Sequence, residues 1–240
     1  MSPILIIAIL ILLALFLYWQ LVIAEGAYLG ARVVAFLYDV VAQRYNKIKQ
    51  FNADDDRWFL SEPLIGLLAS VDRPWVLDVA TGTGRLPLAL LEHRQFRGRV
   101  VGLDLAARML RVAQRALLKH ATRVRLIHQT AERLPFADNV FDAVACLEAL
   151  EFMPKPEQVM VECLRVLKPG GALLLTRRTG PWARWMPGRT PSKEKIKAQV
   201  EALGVWNVEV NLWQVDYDLV WGIKIAQWDE GRTKNEELRM

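Results

Sequence analysis

The hydrophobic and polar positions of the chain divide it into regions of different periodicity. Residues 2–24 are apolar almost throughout and include no charged side chain. Residues 26–50 place apolar side chains at helical spacing, and a second helix is predicted at 58–69, after a polar break at 54–56. From residue 75 onward, apolar runs of strand length alternate with segments of helical period. This order predicts an apolar helix, a helical connection and one α/β domain.

The alternating region predicts a mostly parallel sheet with helices on both faces, because strands joined through helices run parallel. The strands are predicted at the apolar runs 75–80, 99–105, 123–129, 141–150 and 172–178, the last after a turn at 169–171. Two closely spaced segments, 205–213 and 216–225, are predicted to close the sheet as a hairpin, which makes one strand antiparallel. The predicted fold class is therefore a Rossmann-like α/β domain with seven strands, mostly parallel, behind one N-terminal transmembrane helix.

The N-terminal segment is long enough to cross a bilayer, since a helix rises about 1.5 Å per residue and the hydrocarbon core is about 30 Å thick. A cleaved signal peptide is disfavoured because no basic residue precedes the apolar run. A buried core helix is disfavoured because the segment is apolar on every side. Basic residues follow the span, namely Arg32, Arg44, Lys47 and Lys49. The positive-inside rule therefore predicts a single-pass membrane protein with its globular domain in the cytoplasm, in contact with membrane lipid.

Composition narrows the possible partners. The net charge of +5 is compatible with anionic lipid or nucleic acid, but no RNA-binding module is recognisable and nucleic acid is not predicted. The two cysteines and three histidines have no metal-ligand spacing, so neither a metal nor a disulfide is predicted. The predicted divisions are a transmembrane anchor at 1–25, a helical linker and cap at 26–72, the α/β domain at 73–228 and a charged tail at 229–240.

The first predicted strand contains Asp78 and runs into Gly82 and Gly84, after which a helix begins. Glycines at such a turn let the backbone approach a ligand, and the helix N-terminus favours negative charge. Asp104 stands twenty residues after Gly84, at the end of the second strand, where a carboxylate can accept hydrogen bonds from ribose hydroxyls. The pattern therefore predicts a nucleoside-containing cofactor.

Two cofactor classes share this layout. A dinucleotide fingerprint has a third glycine, but its position is occupied here by Pro87. An acidic residue such as Asp78 inside the first strand is poorly suited to a pyrophosphate and better suited to a cofactor with an amino group. The sequence therefore disfavours a nicotinamide dinucleotide.

Four segments in order carry a resemblance to a known family, namely VLDVATGTGRLPLAL, VVGLDLAARMLRVAQ, AERLPFADNVFDAV and CLRVLKPGGALLLT. They resemble the class I methyltransferases that depend on S-adenosylmethionine (SAM). Within that class the chain looks like the small-molecule branch that includes the ubiquinone/menaquinone C-methyltransferases. The resemblance covers about residues 38–222, and its motifs are specific for the cofactor but not for the acceptor.

The resemblance implies roles for individual residues. Asp78 is expected near the methionine amino group, Asp104 at the ribose, and Leu105 and Met109 on either side of the adenine. The remaining residues implied to bind SAM are Ala80, Gly82, Gly84, Thr130, Ala131, Glu132, Leu147, Tyr38 and Tyr45. Thr130 departs from the family, which often has Asp there to accept from the adenine amino group. Weaker cofactor binding is therefore expected.

Two acidic residues and two tryptophans are candidates at the acceptor side. Glu148 and Glu151 follow the fourth strand and are placed to act as a base, with a solvent-facing position or capping of the next helix as alternatives. Trp182 and Trp185 belong to a loop that covers the substrate in this family, with core packing or contact with lipid as alternatives.

The sequence thus predicts a SAM-dependent methyltransferase at the cytoplasmic face of a membrane, acting on a lipophilic or small-molecule acceptor. A catalytically silent SAM-binding regulator is one alternative, and an NAD-linked oxidoreductase is another.

Overall fold

A computed structural model describes residues 2–226 of the chain. Its centre is a seven-stranded sheet in the order β3-β2-β1-β4-β5-β7-β6. The strands are β1 (Trp75–Val79), β2 (Arg99–Asp104), β3 (Val124–His128), β4 (Phe141–Cys146), β5 (Leu167–Arg178), β6 (Val205–Gln214) and β7 (Tyr217–Lys224). Only β7 runs antiparallel to its neighbours, as β5 and β6 pair with it from either side. The predicted Rossmann-like fold with a closing hairpin is confirmed.

Helices cover both faces of the sheet. Those that surround it or precede it are α1 (Pro3–Tyr18), α2 (Ala31–Val41), α3 (Tyr45–Lys49), α4 (Ala53–Asp56), α5 (Glu62–Leu67), α6 (Arg85–Glu92), α7 (Ala107–Ala116), α8 (Pro156–Val166), α9 (Gly180–Ala183) and α10 (Lys193–Ala202). Strand order reverses between β1 and β4, and a crevice forms outside the carboxyl ends of the strands at such a point.

The core consists of two layers because successive strand side chains point to opposite faces. Leu77 on β1 and Val144 on β4 pack on the face covered by α8 and α10. Val76 and Ala143 pack on the other face, against α5, α6 and α7. The central strand β4 is buried along its whole length, which explains its unbroken apolar sequence.

Three predicted elements differ from the structure. Residues 26–50 are not one helix, because Gly26 and Gly30 adopt positive φ of 77° and 97° and form a turn before α2. The second helix begins at Ala53 rather than residue 58, since Asn52 accepts a hydrogen bond from the Asp54 amide as its N-cap. The acidic residues read as a break thus occupy the first helical turn, where the helix dipole favours negative charge.

The predicted turn at 169–171 instead lies inside β5. Phe141 pairs with Leu167 and Ala143 with Ala172, so the single residue Asp142 faces four residues of β5. A side chain on Gly171 would come within 2.9 Å of the Asp142 carbonyl oxygen, so glycine permits this irregular pairing.

The N-terminal helix α1 continues through a π-helical turn at Trp19–Ile23. Within these 21 residues an 18-residue stretch has a mean hydropathy of 2.8, and the helix is long and apolar enough to cross a membrane. No side chain of α1 is buried in the domain. The predicted charged tail at 229–240 lies outside the described residues.

Candidate cofactor site

The chain leaves β1 in a turn that crosses the end of β2. Ala80, Gly82 and Gly84 all have positive φ, and Gly84 immediately precedes α6. A side chain on Gly84 would lie 3.0 Å from Leu117 Cδ1, so this glycine lets α6 approach α7. Around Gly82 there is no atom within 4 Å of an added Cβ, because that position faces an open cavity. The two glycines therefore serve different purposes, helix packing and space for a ligand.

Asp104 is held at the end of β2 by backbone groups. Its Oδ2 accepts a hydrogen bond from the Gly82 amide and its Oδ1 from the Ala106 amide, each at 2.8 Å. Burial raises the pKa of the Asp104 carboxyl, while these backbone N–H groups oppose that rise. The carboxylate is thus fixed at the cavity wall with lone pairs left for hydroxyl donors.

Asp78 lies beneath the same turn. Its Oδ2 accepts a hydrogen bond from the Thr81 hydroxyl at 2.6 Å, and the side chain is buried. Burial raises the pKa of Asp78 to about 7, partly offset by the Thr81 hydrogen bond. Among residues 2–226, no basic side chain lowers the pKa of Asp78. A cationic group of a ligand placed nearby would therefore favour the ionised form of this carboxyl.

One cavity at the carboxyl edge of the sheet collects the predicted cofactor residues. Those that line it are Tyr38, Tyr45, Ala80, Gly82, Asp104, Leu105, Met109, Thr130, Ala131, Glu132 and Leu147. Asp78 and Gly84 are not part of the lining and lie behind it. The mostly apolar walls with one fixed carboxylate fit a nucleoside cofactor such as SAM, whose adenine needs apolar contact and whose ribose needs an acceptor.

The sequence reasoning missed two parts of the wall. Ala31, Val34 and Ala35 on α2 join Tyr38 in the lining, and Phe152 does so from the segment after β4. The α2 residues recur at helical spacing, so the periodicity of this helix held a signal for them. Phe152 had no such signal because it lies in a 3₁₀ helix of three residues, Leu150–Phe152, which is too short to show a period.

Charged side chains close one end of the cavity. The Glu148 carboxylate pairs with Lys49 at 2.5 Å and with Arg85 at 2.7 Å, and Arg85 also pairs with Asp56 at 2.5 Å. Arg85 stacks over the ring of Phe51. Glu148 therefore joins α3 and α6 at the cavity's end, and it is not solvent-facing as one alternative supposed.

Glu151 is buried in a second polar cluster. Its Oε1 accepts a hydrogen bond from the Tyr217 hydroxyl at 2.5 Å, and burial raises its pKa to about 7. The Arg178 guanidinium lies over the Tyr217 ring, and its Nε finds no hydrogen-bond partner among residues 2–226. Glu25 accepts from Arg178 and from the Tyr38 hydroxyl, which connects the cluster to the cavity wall. Arg178, Tyr217 and Glu25 were not predicted, because only the fold brings them together.

Trp182 and Trp185 lie outside the lining of the cofactor cavity, and each is about half exposed. The Trp185 carbonyl accepts a hydrogen bond from Trp19 Nε1 at 2.8 Å, which ties their loop to the end of the apolar N-terminal helix. Their predicted contact with the acceptor stays a prediction.

Comparison with known proteins defines the class. Residues 77–175 match the family model described as a methyltransferase domain. A demethylmenaquinone methyltransferase of Lactiplantibacillus plantarum is 33% identical over 147 residues, which cover 60% of this chain and 62% of that protein. The chain thus spans under two thirds of the length of this relative.

Solved structures support the fold. The crystal structure of the [4+2]-cyclase SpnF matches with a TM-score of 0.67 and 19% identity, over 82% of this chain and 97% of that one. The Haemonchus contortus phosphoethanolamine N-methyltransferase 2, in complex with S-adenosyl-L-methionine, matches with a TM-score of 0.56 and 18% identity, over 70% of this chain and 53% of that one.

Fold and site therefore define a Rossmann-like domain with a cavity that fits a nucleoside cofactor. Within it, residues 77–175 match the methyltransferase-domain family. The match confirms the predicted resemblance to the methyltransferases, and the similarity to a demethylmenaquinone methyltransferase agrees with the predicted branch.

Proposed function

We propose that this chain binds SAM in the cavity and transfers its methyl group to a lipophilic small-molecule acceptor at the cytoplasmic face of a membrane. One observation carries the proposal. A fixed carboxylate, Asp104, and a glycine turn meet the predicted apolar cofactor residues in one cavity at the switch point of the sheet.

Each part of the cofactor has a matching residue. Asp104 accepts hydrogen bonds from the ribose hydroxyls, and Leu105 and Met109 contact the adenine. Asp78 attracts the ammonium group of the methionine part of SAM, while Gly82 leaves space for the methionine side chain. When bound, SAM supplies a methyl group already activated on a sulfonium, so the protein's main task is to align the acceptor and exclude water.

Glu151 is the better candidate of the two acidic residues for receiving a proton from the acceptor. A general base works best with a pKa near the working pH, and burial raises the pKa of Glu151 to about 7. Glu148 is instead engaged in ion pairs with Lys49 and Arg85, which occupy its oxygen atoms. Tyr217 orients the Glu151 carboxyl through its hydrogen bond.

The acceptor is proposed to resemble a reduced quinone with an apolar tail. The name of the Lactiplantibacillus plantarum relative motivates the ring, since it is a demethylmenaquinone methyltransferase. The N-terminal helix motivates the tail, because an anchor concentrates the enzyme where such molecules dissolve. The basic residues after the helix favour a cytoplasmic domain.

The test uses the full chain in nanodiscs that contain phosphatidylcholine and phosphatidylglycerol. Methyl-labelled SAM is supplied with demethylmenaquinol, and in a second arm with total bacterial lipid extract. Label in the organic phase is the expected result, with kcat strongly reduced and SAM affinity retained in Glu151→Gln. Tight SAM binding without transfer in either arm would favour the silent regulator.

The oxidoreductase alternative has a separate readout. The match to a methyltransferase domain disfavours it, and titration with NADH decides it. Binding of NADH with an affinity comparable to that of SAM would contradict the proposal.

A further inference from the structure

Helix α2 has two faces with different surroundings. Its inner side chains, including Ala31, Val34 and Tyr38, line the cofactor cavity. On the opposite side of the helix, Phe36 is 65% and Val40 61% exposed. Within residues 2–226, no other element covers these two apolar side chains. The helix is therefore a single layer between the cavity and the outside of the protein.

Basic residues continue the exposed stripe at both ends. Arg32 lies one turn before Phe36 on α2, Arg44 lies in the turn after the end of α2, and Lys47 lies on α3. All three basic side chains are exposed, and in the sequence they flank the two apolar residues on either side. An apolar centre with cationic ends is the pattern of a helix that lies in the headgroup layer of an anionic bilayer.

The stripe is tied closely to the end of the apolar N-terminal helix. Seven residues, 24–30, separate Ile23 from the start of α2. They form a compact turn in which the Gly26 amide donates to the Gln20 carbonyl at 2.8 Å. A Cβ built on Gly26 would meet Leu37 and Val33 of α2 at 3.1 and 3.2 Å, so the turn packs directly on that helix. If α1 spans a membrane, α2 is held within a short distance of its surface.

Aromatic side chains surround the same exit point. The rings of Trp19 and Tyr28 stack with centroids 5.3 Å apart, and Trp19 is hydrogen-bonded to the backbone of Trp185. Trp182 and Trp185 leave about half of their surface exposed beside this contact. Indole rings favour the boundary between hydrocarbon and water.

We propose that one surface rests in the headgroup layer of an anionic bilayer. It is made of Arg32, Phe36 and Val40 on α2, Arg44 and Lys47 in the segment that follows, and the indoles of Trp182 and Trp185. The helix then forms the partition between the lipid and the cofactor cavity. This inference rests on the membrane placement in the proposed function but not on methyl transfer. It gives α2 a role beyond a linker, because its two faces serve lipid and cofactor at once.

Fluorescent labelling of the full chain tests the surface. A polarity-sensitive dye is attached to the new cysteine of two separate variants, Phe36→Cys and Val40→Cys. Each protein is reconstituted in phosphatidylcholine vesicles that contain about 30 mol% phosphatidylglycerol. Cys146 and Cys163 are buried, so they do not compete for the dye. Trp206→Cys is the matched control, since Trp206 is 56% exposed and lies at the start of β6, at the amino edge of the sheet and away from the cavity at the carboxyl edge.

Lipids that carry a spin label near the headgroup are expected to quench the dye at positions 36 and 40 about twofold or more over the control. The difference should shrink in pure phosphatidylcholine, because the basic residues lose their anionic partners. Equal quenching at all three positions, in protein that floats with the vesicles, would overturn the proposed lipid-contacting surface but would agree with the membrane anchor. Protein that does not float with the vesicles would overturn both, whereas absence of methyl transfer bears on neither.

Discussion

The pH dependence of SAM binding is a sharp consequence of the Asp78 environment. Burial raises the pKa of this carboxyl to about 7 in the protein without cofactor. The methionine ammonium group is attracted to the ionised form and not to the neutral form. Binding therefore favours deprotonation, and affinity should rise with pH while the carboxyl is titrating.

The size of the effect follows from that pKa. With a pKa of about 7, roughly 3% of Asp78 is ionised at pH 5.5 and about half at pH 7. If SAM binds only the ionised form, its affinity rises roughly 15-fold between these two values. The Asp78→Asn variant keeps a side-chain acceptor for the Thr81 hydroxyl but cannot ionise. It should bind more weakly at pH 7 and lose most of the pH dependence.

The assay is calorimetric titration of the full chain in nanodiscs at both pH values, in buffers of different ionisation enthalpy. Proton release on binding near pH 6 is expected for the natural chain and should be strongly reduced in Asp78→Asn. Asp55→Asn, an exposed position, is the control for a change of charge alone. An affinity independent of pH in the natural chain, or the same dependence in Asp78→Asn, would refute the reasoning.

Three further predictions concern affinity and stability. Thr130→Asp should tighten SAM binding by about fivefold in the same titration, because a carboxylate accepts from the adenine amino group more strongly than a hydroxyl does. Unchanged affinity would count against the expected adenine contact. Arg85→Met should lower the free energy of unfolding in urea by about 3 kcal/mol, since two buried carboxylates lose their shared partner. Arg57→Met, at a solvent-exposed ion pair, should have little effect, and an equal loss of stability in both variants would contradict the prediction. Gly84→Ala should reduce thermal stability through crowding against α7, whereas Gly82→Ala should mainly reduce SAM affinity. Loss of affinity in Gly84→Ala and loss of stability in Gly82→Ala would show that the two glycines have been assigned the wrong purposes.

The mostly parallel sheet and its closing hairpin were accessible from the sequence because short apolar runs between helical segments have few other solutions. The glycine turn and Asp104 were accessible because ligands bind at the carboxyl ends of such strands, whereas most other wall residues came from the family resemblance. Asp104 could thus be placed at the cavity from its position at the end of a strand.

Other features depend on tertiary contacts that no local pattern records. The cluster around Glu151 joins Tyr217 and Arg178 from β7 and β5, which become neighbours only through the antiparallel pairing of the closing hairpin. The acidic run before α5 was misread because the capping role of Asn52 outweighs the apparent polar break. Local chemistry at a helix start decides such boundaries more than hydrophobic period does.

The fold does not decide the chemistry by itself. The structure of a [4+2]-cyclase matches most of this chain, and so do structures of methyltransferases. What distinguishes the reactions is the set of side chains beside the cofactor. In this chain the proposed set is the buried cluster of Glu151, Tyr217 and Arg178, and acceptor specificity should be sought there.

The most direct test of the cofactor site is calorimetric titration of the full chain in nanodiscs with SAM and with NADH, alongside Asp104→Asn. The variant keeps an acceptor for one backbone amide but loses the charge toward the ribose hydroxyls, so SAM should bind roughly 10- to 100-fold more weakly. The natural chain should bind SAM and not NADH. A folded chain that binds NADH in preference, or SAM affinity untouched in Asp104→Asn, would contradict the assignment of this cavity as the SAM site.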